Sequence, residues 1–226
     1  MNTVAVIIPV LNEAECLPQL LMHTHEWGAD EIIFVDGGSS DETPQILQSA
    51  GVKWICSKRG RAVQINAGAA QSKSNILLFL HVDTGLSSSH IENVKQVMDN
   101  TGSVGGRFDV HLSGQQPAFR VVEFFMNWRS RLTRISTGDQ AMFVRRDVFE
   151  KLGGFPDQPL MEDVEFSRQL KKEDDIACLR QRVITSSRRW EEHGIVRTVL
   201  LMWWLRFRYW LGASPEVLKR YYVEHS

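Results

Sequence analysis

The sequence predicts an α/β fold, a mostly parallel sheet flanked by helices with a helical C-terminal extension. Three observations carry that prediction. Val4–Val10 and Ile76–Leu80 are unbroken apolar runs, which suit strands buried on both faces between helical layers. Strand-like and helix-like segments alternate over the first 84 residues. Two strand-like runs end in a carboxylate, Asp36 after Glu31–Val35 and Asp83 after Ile76–Leu80. That sheet edge is where open α/β folds place ligands.

Taken in order, Val4–Val10 is a β-branched first strand closed by Pro9. Leu11–Glu15 is expected to open a helix with Asn12 as its cap, since Glu13 and Glu15 suit the positive helix end. Glu31–Val35 is a second strand. After the glycines at 37 and 38, a helix is expected near Asp41 with Pro44 in its first turn. Val52–Cys56 is a short third strand, followed by the basic loop Ser57–Arg61 and a helix over Ala62–Gln71. Beyond Ser87 the expectations are a helix over Ile91–Met98 and a strand over Val104–Val110. A helix over Phe119–Leu132 follows, with Phe124, Phe125 and Trp128 on its apolar face. Next come a strand over Gly138–Val144, a short helix at Asp147–Lys151 and a helix from Met161 to about Lys172. With 226 residues and no repeat or linker, one domain is expected over 1–190, and 191–226 forms its helical extension.

Composition excludes several classes. Apolar and charged fractions of 43% and 23% are those of an ordinary soluble protein. Residues 1–100 carry 6 Lys+Arg against 11 Asp+Glu and the remainder 20 against 16, a mild asymmetry that suits an anionic partner for the second half. No basic stripe with interleaved aromatics precedes the last thirty residues, so nucleic acid is not the expected partner. Cys16, Cys56 and Cys178 are scattered and without metal spacing, which reads as three reduced thiols of a cytoplasmic protein. The first residues lack the basic-then-apolar pattern of a signal peptide, and no apolar run reaches the roughly 18 residues of a spanning helix.

The turn after the first strand is Pro9–Val10–Leu11–Asn12–Glu13, not the Gly-x-Gly-x-x-Gly of a dinucleotide site, and no phosphate loop of the Gly-x-x-x-x-Gly-Lys type is present. What remains is an acidic crest, Asp36, Asp83 and Asp163, with Lys58, Arg59 and Arg61 nearby. Strand-end acids can read a nucleoside and hold a divalent cation, which in turn screens a diphosphate.

Four segments in order, Ile7–Glu13, Asp36–Thr43, His81–Asp83 and Glu162–Asp163, resemble the signatures of family 2 glycosyltransferases, which have the GT-A fold. Gly60–Arg61–Ala62, Gly138–Asp139–Gln140 and Ser187–Arg188–Arg189–Trp190 further resemble a small bacterial subgroup associated with radical-SAM and selenodomain proteins. The resemblance implies an inverting transferase that moves a sugar from a nucleotide diphosphate sugar, UDP-linked by expectation, to an acceptor hydroxyl such as one on a lipid. It implies that Pro9 and Glu13 shape the nucleotide pocket, that Asp36 accepts from uracil or ribose, and that Arg61 lies by the diphosphate. It implies Asp83 as the acid of the Asp-x-Asp metal motif, holding Mg²⁺ or Mn²⁺, with His81 in place of the first acid. Asp163 would be the catalytic base. Asp139, Gln140, Glu162, Arg189 and Trp190 would line the acceptor or phosphate side.

Plainer readings stand beside these. Asp36 also suits a turn cap, Arg61 a surface charge, Glu162 and Asp163 a first helical turn, and His81 a packed imidazole. A nucleotidyltransferase or a non-catalytic sugar-nucleotide-binding protein are the alternative functions. The stretch Thr198–Leu211 carries three tryptophans and two arginines with apolar groups all round. It therefore packs on the domain, meets a second copy in a homodimer, or lies peripherally on the inner face of a membrane.

Overall fold

The computed structural model describes residues 2–225. In chain order, β1 (Val4–Val10), α1 (Leu17–Thr24), β2 (Glu31–Asp36), α2 (Thr43–Ser49), β3 (Trp54–Cys56), α3 (Arg61–Gln71) and β4 (Ile76–Phe79) form the regular first half. The second half comprises β5 (Thr84–Gly85), α4 (Ser88–Asn100), β6 (Gly105–Leu112), α5 (Pro117–Thr133), β7 (Phe143–Arg145), α6 (Arg146–Lys151) and α7 (Glu162–Leu170). It closes with β8 (Ile176–Thr185), α8 (Arg188–His193), α9 (Ile195–Trp210) and α10 (Pro215–His225). One sheet runs β3-β2-β1-β4-β7-β6-β8-β5. The β1/β2, β1/β4, β2/β3 and β6/β8 pairs are parallel; β4/β7, β6/β7 and β5/β8 are antiparallel.

Alternation along β1 explains why its apolar run is continuous. Val4, Val6, Ile8 and Val10 face a core closed by Leu17 and Leu20 of α1, Leu47 of α2 and Ile91, Val94 and Met98 of α4. Ala5 and Ile7 face the opposite core, with Ala62, Ile65 and Ala69 of α3, Phe149 of α6 and Phe166 of α7. Burying each such large side chain contributes about 1.5–3 kcal/mol. Gly68 lets α3 lie close to the sheet, because a Cβ there would come within 2.6 Å of Ile7 and 2.8 Å of Val35. Pro9 is tolerated in a central strand because the β1/β4 pairing ends at Ile7/Phe79, so its missing N–H costs no ladder bond.

Several expectations are corrected here. No helix opens at Leu11–Glu15: Asn12 adopts φ 55° and α1 starts at Leu17. Gly138–Val144 is not one strand, since Gly138–Gln140 form a 3-10 turn and pairing begins only at Phe143. Strand β8 was not anticipated. On α5 the buried positions are Phe119, Val122, Glu123 and Ser130, so Phe124, Phe125 and Trp128 point outward. Glu123 turns inward because its carboxylate accepts the Leu112 N–H at 2.6 Å.

The C-terminal helices pack through Leu205 and Leu218 onto Met161, one residue before α7. The other face of α9 stays open, with Trp203 and Trp210 61% and 74% exposed. No helix among the described residues is long and apolar enough to cross a membrane.

Candidate active site

The loops leaving β1 and β2 are laced together. The Asn12 N–H donates to Ser39 Oγ and Asn12 Oδ1 accepts the Ser40 N–H, both at 2.8 Å. The Glu13 N–H donates to Thr43 Oγ1 at 2.8 Å, and the Ala14 N–H to Asp41 Oδ2 at 3.1 Å. Asp36 is only 2% exposed. Its carboxylate accepts the Gly38 and Ser39 N–H groups at 3.1 Å and the Ser39 hydroxyl at 2.5 Å. The carboxylate expected to read the nucleoside thus also holds its own turn. Glu13 is half-buried: burial and the Asp83 charge push its carboxyl up, while Arg188 pulls the other way.

Around the end of β4 a second group converges. A Cβ at Gly138 would stand 2.2 Å from His81 Nε2, so only glycine lets the 3-10 turn close over the imidazole. His81 Nδ1 lies 3.4 Å from Asp139 Oδ1. Burial opposes the Asp139 charge, but the hydrogen bond and field of His81, with Arg61 and Arg206 beyond, hold its carboxyl below the ordinary value. Met161, at φ 65°, swings the chain into α7 and delivers Glu162 and Asp163 at its first turn. Asp163 Oδ2 accepts the Gly138 N–H at 2.8 Å and Oδ1 the Val164 N–H at 2.7 Å. A carboxylate offers about four lone-pair sites, so two bonds fix the group and leave capacity for a substrate. Pro9, Arg61, His81, Gly138, Glu162 and Asp163 wall a small cleft, with Phe79, Met142 and Phe155 beneath.

Glu162 is 4% exposed and lies 3.6 Å from Arg61. Burial and the Asp163 charge push its carboxyl up from 4.5, with Arg61 opposing. A raised folded-state value means the stability it contributes is complete below about pH 4.5 and is lost as pH rises through that raised value. Glu162→Gln is therefore expected to melt progressively higher than the wild type as pH goes from acid to neutral. A gap in melting temperature that stays flat or narrows across that range would contradict it.

The remaining candidates divide. Asp83 is exposed on the rim, its carbonyl accepting the Ser186 N–H at 3.2 Å. Arg189 stacks over the Tyr222 ring at 4.3 Å, in the field of Asp139 and Arg61. Gln140 is fully buried and caps the 3-10 turn, its side chain accepting the Thr137 N–H at 3.3 Å. Trp190 packs on Leu112, Phe119 and Val122. Neither of these two borders the cleft, because each is committed to packing. Sequence reasoning missed Arg129, whose guanidinium feels Asp163 and Asp139, and Lys219, set near Arg61, Glu162 and Arg189. Arg206, on the tryptophan-rich C-terminal helix, feels the same two aspartates as Arg129.

The donor set tests the expected metal. Among the described residues no three His, Cys, Asp or Glu side chains form a metal cluster. Asp83 is exposed, whereas His81 is engaged by Asp139. One exposed carboxylate fits a Mg²⁺- or Mn²⁺-type ion that brings its other ligands as phosphate oxygens and water, not a protein-held ion.

An α/β sheet with an acidic crest at its strand ends and arginines facing it has the layout of a domain that binds charged ligands at its carboxyl edge. The chain matches Glycosyl transferase family 2 over residues 5–153, and it belongs to that family. It is 31% identical over 170 residues to the glycosyltransferase AglE of Haloferax volcanii, covering 68% of this chain and 56% of that one. It is also 31% identical over 153 residues to an undecaprenyl-phosphate 4-deoxy-4-formamido-L-arabinose transferase of Pseudomonas aeruginosa, covering 60% and 42%. The chain thus spans about half the length of the curated relatives it matches. The fold is shared with S. aureus TarS in complex with UDP-GlcNAc, at TM-score 0.65 and 18% identity over 81% of this chain and 58% of that one. It is shared likewise with the mannosyltransferase PcManGT of Pyrobaculum calidifontis in complex with GDP-Man and Mn²⁺, at TM-score 0.63 and 20% identity over 81% and 56%.

Proposed function

We propose that this protein is an inverting glycosyltransferase that moves a sugar from a nucleotide diphosphate sugar, UDP-linked, to an acceptor hydroxyl. The observation that carries the reading is the cleft itself: a carboxylate, Asp163, pinned by two backbone amides on a wall it shares with an arginine, Arg61. Asp163 takes the acceptor proton as the oxygen attacks the anomeric carbon, and the nucleoside diphosphate leaves on the opposite side. Arg61 holds charge on the leaving side. The turn built on Asp36 and the Asn12 lacing shape the base pocket with Pro9 and Glu13. A divalent ion bound at Asp83 would neutralise part of the diphosphate charge. Positioning of donor and acceptor supplies much of the acceleration.

Two finer readings join it. The segments at Gly60–Ala62, Gly138–Gln140 and Ser187–Trp190 favour the radical-SAM/selenodomain-associated subgroup. The exposed apolar groups of α5 and α9, Phe124, Trp128, Trp203, Phe207 and Trp210 among them, favour peripheral contact with a membrane surface, where a lipid or lipid-linked acceptor would be met. Titration calorimetry with Mn²⁺, alone and with UDP, tests the donor side. Tight Mn²⁺ binding only in the presence of UDP is expected, because the ion's other ligands come with the nucleotide. Equal affinity in both cases would contradict a shared site, and no binding of UDP at all would remove the donor assignment.

A further inference from the structure

The cleft wall holds two adjacent carboxylates in unlike surroundings. Asp163 accepts the Gly138 and Val164 amides at 2.8 and 2.7 Å, so its oxygens are already met by donors. Glu162, one residue earlier, is 4% exposed and meets Arg61 at 3.6 Å, an ion contact longer than a hydrogen bond. Arg61 is the first residue of α3, and its side chain is 52% exposed. Among the described residues Glu162 is its one ion partner. The carboxylate is enclosed and the guanidinium half open to solvent, so the member of the pair that can move is Arg61.

Burial and the Asp163 charge push the Glu162 carboxyl up from 4.5, against Arg61, its own amide and His81. Lys219 of α10 lies in the field of both members of the pair and of Arg59 and Arg189, and Asp139 lies in that of Arg61. A diphosphate set in this cleft draws the guanidinium away, because phosphate oxygens take its N–H groups in pairs where Glu162 offers a 3.6 Å contact. Glu162 then loses its counter-charge and gains an anion beside the same enclosed wall. Both changes favour its neutral form.

We infer that Glu162 is a positioning residue that parks Arg61 until a nucleoside diphosphate takes the guanidinium over, and that Glu162 then takes up a proton from solvent. This rests on the donor-binding reading of Arg61 and adds a proton to it. Arg61 stays charged throughout, the Glu162 carboxylate becomes a carboxyl, and release of the nucleotide returns the proton. A neutral Glu162 also removes the like charge beside Asp163, the group that receives the acceptor's proton. By linkage, a ligand that brings in a proton binds more tightly as pH falls, and the gain ends once Glu162 is protonated in the free protein too.

Titration calorimetry with UDP and Mn²⁺ in buffers of different protonation enthalpy counts the protons taken up on binding. It is run on the wild type, Glu162→Gln and Arg61→Gln from mildly acid to mildly alkaline pH, after a cooperative melt without nucleotide shows each to be folded. Glu162→Gln is the reference, since it shares every proton that UDP itself exchanges. The wild type is expected to take up more protons than this reference, the excess peaking at up to about one proton. Its UDP affinity should fall below that of Glu162→Gln as pH rises, by roughly tenfold per pH unit where the excess peaks. In Arg61→Gln binding should be weaker and the excess smaller, because the carboxylate there already lacks its cation. Equal proton counts and equal pH slopes in the wild type and Glu162→Gln would overturn the exchange. A full excess retained in Arg61→Gln would overturn it as well, by tying the proton to the diphosphate charge alone. Absence of UDP binding in all three at every pH would sink the donor reading itself, a result distinct from binding without a proton difference.

Discussion

Asp163→Asn is expected to lower turnover by about 10²–10⁴-fold, the usual worth of a general base, with donor binding nearly intact. The substitution keeps the shape and one acceptor oxygen, so one of the amide bonds from Gly138 and Val164 that hold the side chain survives. What is lost is the capacity to take a proton. Steady-state kinetics together with UDP binding check it. Turnover within a factor of a few of the wild type would remove Asp163 from the mechanism.

The second large effect is on stability. Arg107 is wholly buried between β6 and α5. Its guanidinium pairs with Asp109, donates to the Phe108 carbonyl at 3.1 Å and reaches the Asn127 carbonyl at 3.3 Å. Asp109 also accepts Arg131 Nη2 at 2.5 Å. Asp109→Ala would leave a buried cation without its counter-charge, and breaking such a pair costs about 3–5 kcal/mol. Denaturant unfolding should show that loss as an earlier midpoint at similar slope. A loss below about 1 kcal/mol would mean that water reaches Arg107 and the pair is only a surface bridge. Compared with Asp163→Asn, this variant separates damage to the frame from damage to the chemistry.

The regular half of the fold was legible because its strands bury both faces. β1 and β4 read as apolar runs, and a carboxylate following such a run marks the ligand edge. Strand β8 was not legible: its buried residues, Ile176, Val183 and Thr185, are separated by the half-open or exposed stretch Ala177–Arg182, where a bulge shifts the register against β6. The Gly138–Gln140 turn was hidden because it runs straight into the apolar, strand-like stretch Ala-Met-Phe-Val, and only the closeness of His81 to Gly138 shows why the chain coils there. Asn12 was misread for a related reason. Its side chain suits a helix cap, but its partner is Ser40 on the neighbouring loop, a tertiary contact that propensity does not encode.

At the site, the sequence identified types more readily than tasks. Asp163 and Arg61 border the cleft, Asp36 and Gln140 hydrogen-bond within their own turns, and Trp190 packs on Leu112, Phe119 and Val122. Arg129 was not legible because α5 also carries Arg120 and Arg131, and nothing in the sequence marks which of the three is enclosed. Which face turns inward is decided by contacts such as Leu205 on Met161, and those contacts lie far apart in the chain.

The central claim is transfer from a nucleotide diphosphate sugar, and product analysis tests it most directly. The protein is incubated with UDP-sugars and Mn²⁺, with Asp163→Asn in parallel, and the nucleotide released is identified. The account predicts free UDP from the wild type and a rate lower by about 10²–10⁴-fold from the variant. Release of UMP with a sugar phosphate, or equal UDP release by both proteins, would contradict it.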